Sequence, residues 1–350
     1  MKLQKSSIVG STMAVPTADR AGKAMLPLVV LLALAGAVMP LAVSSTPARG
    51  NIFVGNSADG FIGEYTNSGA TVNTTLITGL EPSGIAISGS NLFVTNTVPL
   101  DSPTGNNGSV GEYTTSGTAV NTSLITNLNY PSAIAISGSN IFVVNSGLLT
   151  YSGTIGEYSL SGAPINTSLI TGLDEPTGIA ISGSNLFVTS LVSNPSINNL
   201  YTGRIGEYTT SGAPVNASLI TGLAGPESIA ISGSDLFVAN GYTNTIGEYT
   251  TSGSTVNASL INIPGDDLPN GIAISGSDLF VANWVPNTIG EYTTSGSTIN
   301  ASLVDVNSPA GIALTPVPEP ANLTWMAGGL LALIPLLLKR LRASRSGTAA

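Results

Sequence analysis

Residues 229–261 read IAISGSDLFVANGYTNTIGEYTTSGSTVNASLI, and the same order of segments recurs along the chain. Its short runs, Ile229-Ala230-Ile231, Leu236-Phe237-Val238, Ile246-Gly247-Glu248-Tyr249 and Asn257-Ala258-Ser259-Leu260, alternate with Ser, Thr, Gly and Asn. Runs of this length, rich in β-branched and aromatic residues and bounded by turn residues, read as strands. One unit therefore supplies four strands joined by hairpins.

Working outward, Ile/Val-Gly-Glu-Tyr begins at residues 62, 110, 155, 205, 246 and 289, with spacings of 48, 45, 50, 41 and 43. The Leu/Ile-Phe-Val run ends at Val54, Val94, Val143, Val188, Val238 and Val281. Ile-Ala-Ile/Leu begins at Ile85, Ile134, Ile179, Ile229, Ile272 and Ile312. A repeat of this length with four strands is the period of a propeller blade. The spacing predicts an all-β, six-bladed β-propeller with four antiparallel strands per blade. Order along the chain predicts its closure. The first blade lacks its own first strand, and the last strand, at about 312–314, is available to join the N-terminal blade, at about 51–77.

The strands carry a resemblance as well. Pro176-Thr177-Gly178-Ile179-Ala180-Ile181 followed by Leu186-Phe187-Val188 is similar to the NHL repeat, and Phe237-Val238-Ala239-Asn240 with Asn244-Thr245-Ile246 resembles the related YVTN type. That resemblance covers about residues 51–315 and implies architecture far more than function.

Composition excludes several chemistries. The 350 residues contain no His and no Cys, so there is no disulfide, no thiolate or imidazole metal ligand and no histidine base. Any catalysis must use carboxylates, hydroxyls, Tyr or a hard cation held through oxygen. Ten Lys+Arg against 19 Asp+Glu give a formal charge of −9. Cations concentrate at the ends. Between Asn51 and Pro316 a single Arg204 faces 17 acids, a formal −16, and such a surface repels nucleic acid.

Both termini read as addresses. Lys2, Lys5, Arg20 and Lys23 precede the apolar run 25–43, and Val43-Ser44-Ser45 follows, so 1–44 is expected to be a secretory signal, cleaved or retained as an anchor, with 45–50 a linker. At the other end Val317-Pro318-Glu319-Pro320 precedes an apolar segment at about 323–338, expected to be a transmembrane helix, and then Lys339, Arg340, Arg342 and Arg345. This three-part tail, 316–350, resembles the PEP-CTERM sorting signal. The resemblance implies export through the Sec machinery, membrane retention through the C-terminal helix, then exosortase processing and delivery to the surface or exopolysaccharide matrix of a Gram-negative-type bacterium.

Most repeated residues have mechanical explanations. The six Phe and six Tyr of the strand motifs are expected between blades, and Gly in Ser-Gly-Ser and Thr-Ser-Gly in hairpin turns. The Gly of Gly-Glu-Tyr is expected to permit a bulge or a close approach. Glu64, Glu112, Glu157, Glu207, Glu248 and Glu291 recur too regularly for a catalytic site, whose members need different roles; repeat hydrogen bonding is expected instead. The Asn-x-Ser/Thr sites at Asn73, Asn121, Asn166, Asn216, Asn257 and Asn300 are likewise taken as strand chemistry rather than glycosylation acceptors.

Function is expected where the symmetry breaks. Naming the strands A to D from the channel outward, the excess length lies in the B–C loops of three adjacent blades, 97–109, 146–154 and 191–204. Those loops and their neighbours offer Tyr151, Tyr201, Arg204 and Trp284. The D–A connections on the same face add acids, of which Asp174, Glu175, Asp266 and Asp267 are ligand candidates and weak Ca²⁺ candidates. No catalytic residue and no obligatory cofactor is read from the sequence. The expected function is a non-catalytic binding or structural module engaging an exopolysaccharide or surface protein. The alternative is a Ca²⁺-dependent lactonase or esterase of the gluconolactonase-like group, which requires non-equivalent oxygen ligands at the channel mouth.

Overall fold

The computed structural model describes residues 50–97, 108–147, 152–192, 202–265 and 268–315. Six four-stranded antiparallel sheets follow one another around a ring. Blade 1 combines strand A from Pro309–Leu314 with Asn51–Asn56, Phe61–Thr66 and Thr71–Thr78. The ring is thus closed by the last strand, as expected, with Ile52 opposite Leu314 and Val54 opposite Ile312. The A strands of blades 2 to 6 are Pro82–Ser88, Pro131–Ser137, Pro176–Ser182, Pro226–Ser232 and Pro269–Ser275, and neighbouring A strands touch around the central channel.

The core lies between blades rather than within one. Phe237, Ala239 and Ile246 of blade 5 pack with Leu279, Val281 and Tyr292 of blade 6. The same arrangement closes the ring, where Phe280 and Ile289 of blade 6 meet Ile52, Val54 and Tyr65 of blade 1. All six repeated Phe are essentially fully buried, and the six repeated Tyr nearly so. Burial of each such ring stabilises by roughly 1.5–3 kcal/mol, so repetition of one aromatic pair supplies much of the core.

Gly in Gly-Glu-Tyr allows the strand's own Tyr to fold over it. A Cβ on Gly111 would lie 2.7 Å from Tyr113 Cε2, and the same overlap recurs in every blade. The pairing with strand D also shifts register there, as between Val110 and Glu112, so both a close approach and a bulge occur. Across the blade, Glu64, Glu112, Glu157 and Glu207 accept hydrogen bonds from Asn51, Asn91, Asn140 and Asn185 Nδ2 at 2.6–2.7 Å. The glutamate ring is therefore structural in these four blades. Blades 5 and 6 carry Asp235 and Asp278 where the Asn would stand.

Outer strands are edges. Each sequon Asn accepts, through Oδ1, the N–H two residues on at 3.1 Å, as Asn73 does from Thr75 and Asn300 from Ser302. A side chain spent on its own backbone irregularly bends an exposed edge and disfavours strand addition.

Among the described residues no helix is long and apolar enough to cross a membrane. The apolar segments 25–43 and 323–338, the sorting motif Val317 to Pro320 and the basic tail lie outside the described residues.

Candidate functional site

Each A strand opens with Pro, and the residues around that Pro build the channel mouth. The N–H three residues after the Val of each Leu/Ile-Phe-Val run donates to the carbonyl of the residue before Pro in every blade: Ser57 to Ser308, Thr97 to Glu81, Ser146 to Tyr130, Leu191 to Glu175, Gly241 to Gly225 and Trp284 to Leu268, at 2.8–3.2 Å. In five blades this pre-proline residue takes a positive φ, 51° at Tyr130, 34° at Glu175 and 37° at Leu268 among them. Such conformations are uncommon for residues with a Cβ and mark an over-determined position. They set Tyr130, Glu175 and Leu268 on the wall of a cavity of about 760 Å³.

Below the rim the cavity is layered. The residue after Pro is Ser83, Ser132, Thr177, Glu227, Asn270 or Ala310, and all six line it. The three hydroxyls lock blade to blade. Ser83 Oγ donates to Pro131 O at 2.6 Å, Ser132 Oγ to Pro176 O at 3.1 Å and Thr177 Oγ1 to Pro226 O at 2.7 Å. Deeper still sits a ring of six isoleucines, Ile85, Ile134, Ile179, Ile229, Ile272 and Ile312. The channel is therefore polar at its mouth and apolar within.

The locking hydroxyls end at blade 4, and blades 5, 6 and 1 carry Glu227, Asn270 and Ala310 in their place. Glu227 replaces the hydroxyl, and its carboxyl makes no hydrogen bond among the described residues. Burial, reinforced by the charge of Glu175 on the neighbouring blade, pushes its pKa up to about 7. Glu175 is 9% exposed and is itself raised by burial and then by Asp174. Two carboxyls that each raise the cost of ionising thus face one cavity. A structural hydroxyl exchanged for an unpaired half-buried acid is a local inconsistency of the kind that functional sites tolerate.

Aromatic rings flank these acids. Trp284 is 47% exposed and Tyr242 45%, and both line the mouth. The Tyr242 ring lies over Gly225, where a Cβ would meet it at 2.7 Å, and a Cβ on Gly241 would meet Glu227 Cγ at 3.2 Å. The two glycines leave room for the aromatic and the acid respectively. Asn270, on blade 6, adds an amide beside Glu227's blade.

Of the residues singled out from sequence, Glu175 and Trp284 line this cavity. Asp174 and Arg204 do not; Arg204 Nη2 donates to Asp174 Oδ2 at 3.0 Å, which commits the propeller's one Arg to an acid rather than to the mouth. Tyr151, Tyr201, Asp266 and Asp267 lie outside the described residues, as do most of the three long loops, which spring from the rim at Thr97, Ser146 and Leu191. Glu227, Tyr242 and Asn270 were not among the sequence candidates. Alignment of the six post-proline positions carries the signal for Glu227 and Asn270, because an acid and an amide there depart from Ser, Ser and Thr. Among the described residues no three Asp or Glu side chains converge as a metal centre; Glu175, Glu227 and Asn270 share the lining of one cavity.

The fold and mouth define a six-bladed propeller with an asymmetric, acidic and aromatic channel entrance. A scan against protein families finds no match, and no curated protein matches the sequence. Solved structures do. A chain of a nidogen/laminin complex is 16% identical, with 76% of this chain and 98% of that chain covered at a TM-score of 0.57. A gluconolactonase from Xanthomonas campestris is 14% identical, with 67% and 79% covered at 0.52. The calcium-binding protein regucalcin from Agrobacterium tumefaciens is 14% identical, with 66% and 76% covered at 0.50. At these identities the likeness shows the propeller fold alone.

Proposed function

We propose that the protein is an exported surface or matrix propeller that binds a ligand at the channel mouth beside blades 4, 5 and 6 without converting it. The observation that carries this reading is the asymmetry of the mouth. Glu175, Glu227, Asn270, Tyr242 and Trp284 gather on three adjacent blades, whereas blades 2 and 3 present the serines Ser83 and Ser132. Half-exposed aromatic faces beside polar groups suit a saccharide, which offers apolar ring faces and hydroxyl rims together. Export, with the Sec machinery and exosortase as partners, rests on the two terminal sequences. Gly50 and Thr315, the ends of the described propeller, stand at the A–B end of blade 1, on the face opposite the mouth. An anchored tail would leave that mouth accessible.

The test is retention of the purified protein on the exopolysaccharide of its own cell, against an unrelated acidic propeller. Retention lost in Trp284→Ala supports the reading; retention no better than the control overturns it.

A second reading has an observation of its own. The Ca²⁺-dependent lactonase alternative needs non-equivalent oxygen ligands at the mouth, and Glu175, Glu227 and Asn270 are non-equivalent, unlike the structural glutamate ring. Calcium titration with a lactone panel decides it. Saturable calcium binding with turnover favours the enzyme, and neither effect removes it.

A further inference from the structure

Every Asn-x-Ser/Thr motif in the described residues falls at one place in the fold, the outer strand D of a blade, at Asn73, Asn121, Asn166, Asn216, Asn257 and Asn300. Each Asn stands opposite the Glu of Gly-Glu-Tyr, and there the ladder breaks. Strand C runs from Ile62 to Glu64 while strand D runs from Ile77 back to Asn73, so Thr74, Thr75 and Leu76 are set against Gly63 alone. The same bulge recurs in the other five blades. The Asn closes it through Oδ1, which accepts the N–H two residues on at 3.1 Å.

The bulge accounts for the Asn carbonyl and for no other part of the motif. It needs only a backbone N–H from the residue two positions on, which any residue except Pro supplies. That residue is nonetheless Thr75, Ser123, Ser168, Ser218, Ser259 or Ser302, a hydroxyl in every blade, while the residue between is Thr in three blades and Ala in three. Neither these hydroxyls nor the Nδ2 atoms of the six Asn make a hydrogen bond among the described residues, and all of these residues are exposed. The Oδ1 bond ties the amide to the hydroxyl-bearing residue, so both functions of the motif are offered together on a solvated segment that has left the ladder. The edge also has a fault that a substituent at this point would cover. The residue before each Asn is Val72, Val120, Ile165, Val215, Val256 or Ile299, 50–54% exposed, and no charged side chain lies between the start of strand D and the end of the motif. Uncharged edges that expose apolar side chains invite association, and six of them share one ring.

We infer that these six Asn are glycan acceptors, modified by a transferase that reads Asn-x-Ser/Thr. The reaction is a substitution without redox change. Asn Nδ2 forms a bond to the anomeric carbon of a sugar activated there as a phosphate ester. The bond from that carbon to the phosphate oxygen breaks, the phosphate leaves with the electron pair, and one amide proton passes to a base of the transferase. The product keeps its second N–H and the Oδ1 bond, so the bulge survives modification. A bulky, hydrophilic group beside each half-exposed Val or Ile covers the outer edge. These sites are independent of what the channel mouth binds.

The experiment is peptide mass spectrometry of the full-length protein purified from its own cell, alongside variants made in that cell. Digestion is at Glu and aromatic residues, because the propeller has Arg204 as its single tryptic site. Hexose or N-acetylhexosamine increments should appear on the six strand D peptides. Fragmentation should place them on the motif Asn and not on Asn127 or Asn262, which are exposed and lack the motif. Asn300→Gln and Ser302→Ala should each lose the increment of that blade alone, and Ser302→Thr should keep it, with thermal melts confirming that each variant folds. Unmodified peptides at all six Asn overturn the assignment. An increment that persists in Asn300→Gln and vanishes in Ser302→Ala also overturns it, by placing the sugar on the hydroxyl, as does modification of Asn127 or Asn262 to the same extent.

Discussion

Replacing Glu227 with Gln should stabilise the protein above neutral pH and leave it unchanged in acid. The native carboxyl sits on the channel wall, with its pKa pushed from the ordinary 4.5 to about 7 first by burial and then by Glu175. A raised folded-state value means that the protonated form fits the fold better. Its stabilising effect is complete below about 4.5, declines as pH rises through the interval, and is gone above about 7. The full shift corresponds to about 3 kcal/mol, and water in the open mouth reduces this to about 1–3 kcal/mol. Glutamine has nearly the same shape and never ionises, so its stability curve lacks this decline. Urea unfolding of both proteins at half-unit steps from pH 4.5 to 8.5 checks the claim, with the difference between curves as the readout, because Glu175 and Glu248 are raised as well and impose slopes common to both. The curves should coincide near pH 4.5 and separate progressively until about pH 7.5. Parallel curves across the whole range would show that Glu227 is solvated like a surface acid and would refute the reasoning.

Other expectations concern the scaffold. Phe280→Ala, in the interface that closes the ring, should cost about 3–5 kcal/mol in denaturant unfolding, and a loss under about 1 kcal/mol would contradict the inter-blade core. Gly111→Ala should destabilise by about 1–3 kcal/mol because its methyl enters the Tyr113 ring, and the penalty should shrink in a double variant with Tyr113→Ala. Asp235→Asn restores to blade 5 the amide that in four other blades donates to the glutamate. It should add about 1 kcal/mol at neutral pH, and the gain should fade in acid, where Glu248, raised by burial and by Asp235, already holds a proton.

Repetition made most of the architecture legible. Six copies of Phe and of Gly-Glu-Tyr, and five of Ser-Gly-Ser between the first two strands, recur because every blade solves the same packing problem, and an incomplete first blade beside a spare last strand announces how the ring closes. The folding of Tyr113 over Gly111 was less visible, since two residues apart on one strand says only that they share a face. The site was harder to read for the opposite reason. Loop length points to the face that opens into the cavity, and Glu175 and Trp284 line it, but Arg204 turns to Asp174. Glu227 and Asn270 are single departures inside an otherwise ordinary strand start. They stand out only when the six positions after proline are compared across blades, because the channel brings together residues about a repeat apart.

Closure by a shared blade also fixes how the ring responds to load. Thr315 N donates to Asn51 O at 3.0 Å, and Asn51 N to Thr315 Oγ1 at 2.6 Å, so chain entry and exit are adjacent at one end of an antiparallel pair. Tension applied through the two flanks pulls first on the Asn51–Thr315 bonds and then, one pair after another, on Ile52 and Leu314, Phe53 and Ala313, and Val54 and Ile312, parting them in sequence rather than together. The joint is a zipper with its slider at the termini. It withstands thermal fluctuation through the packed Phe280 interface and yields to a pull at much lower force than the same strands loaded in shear.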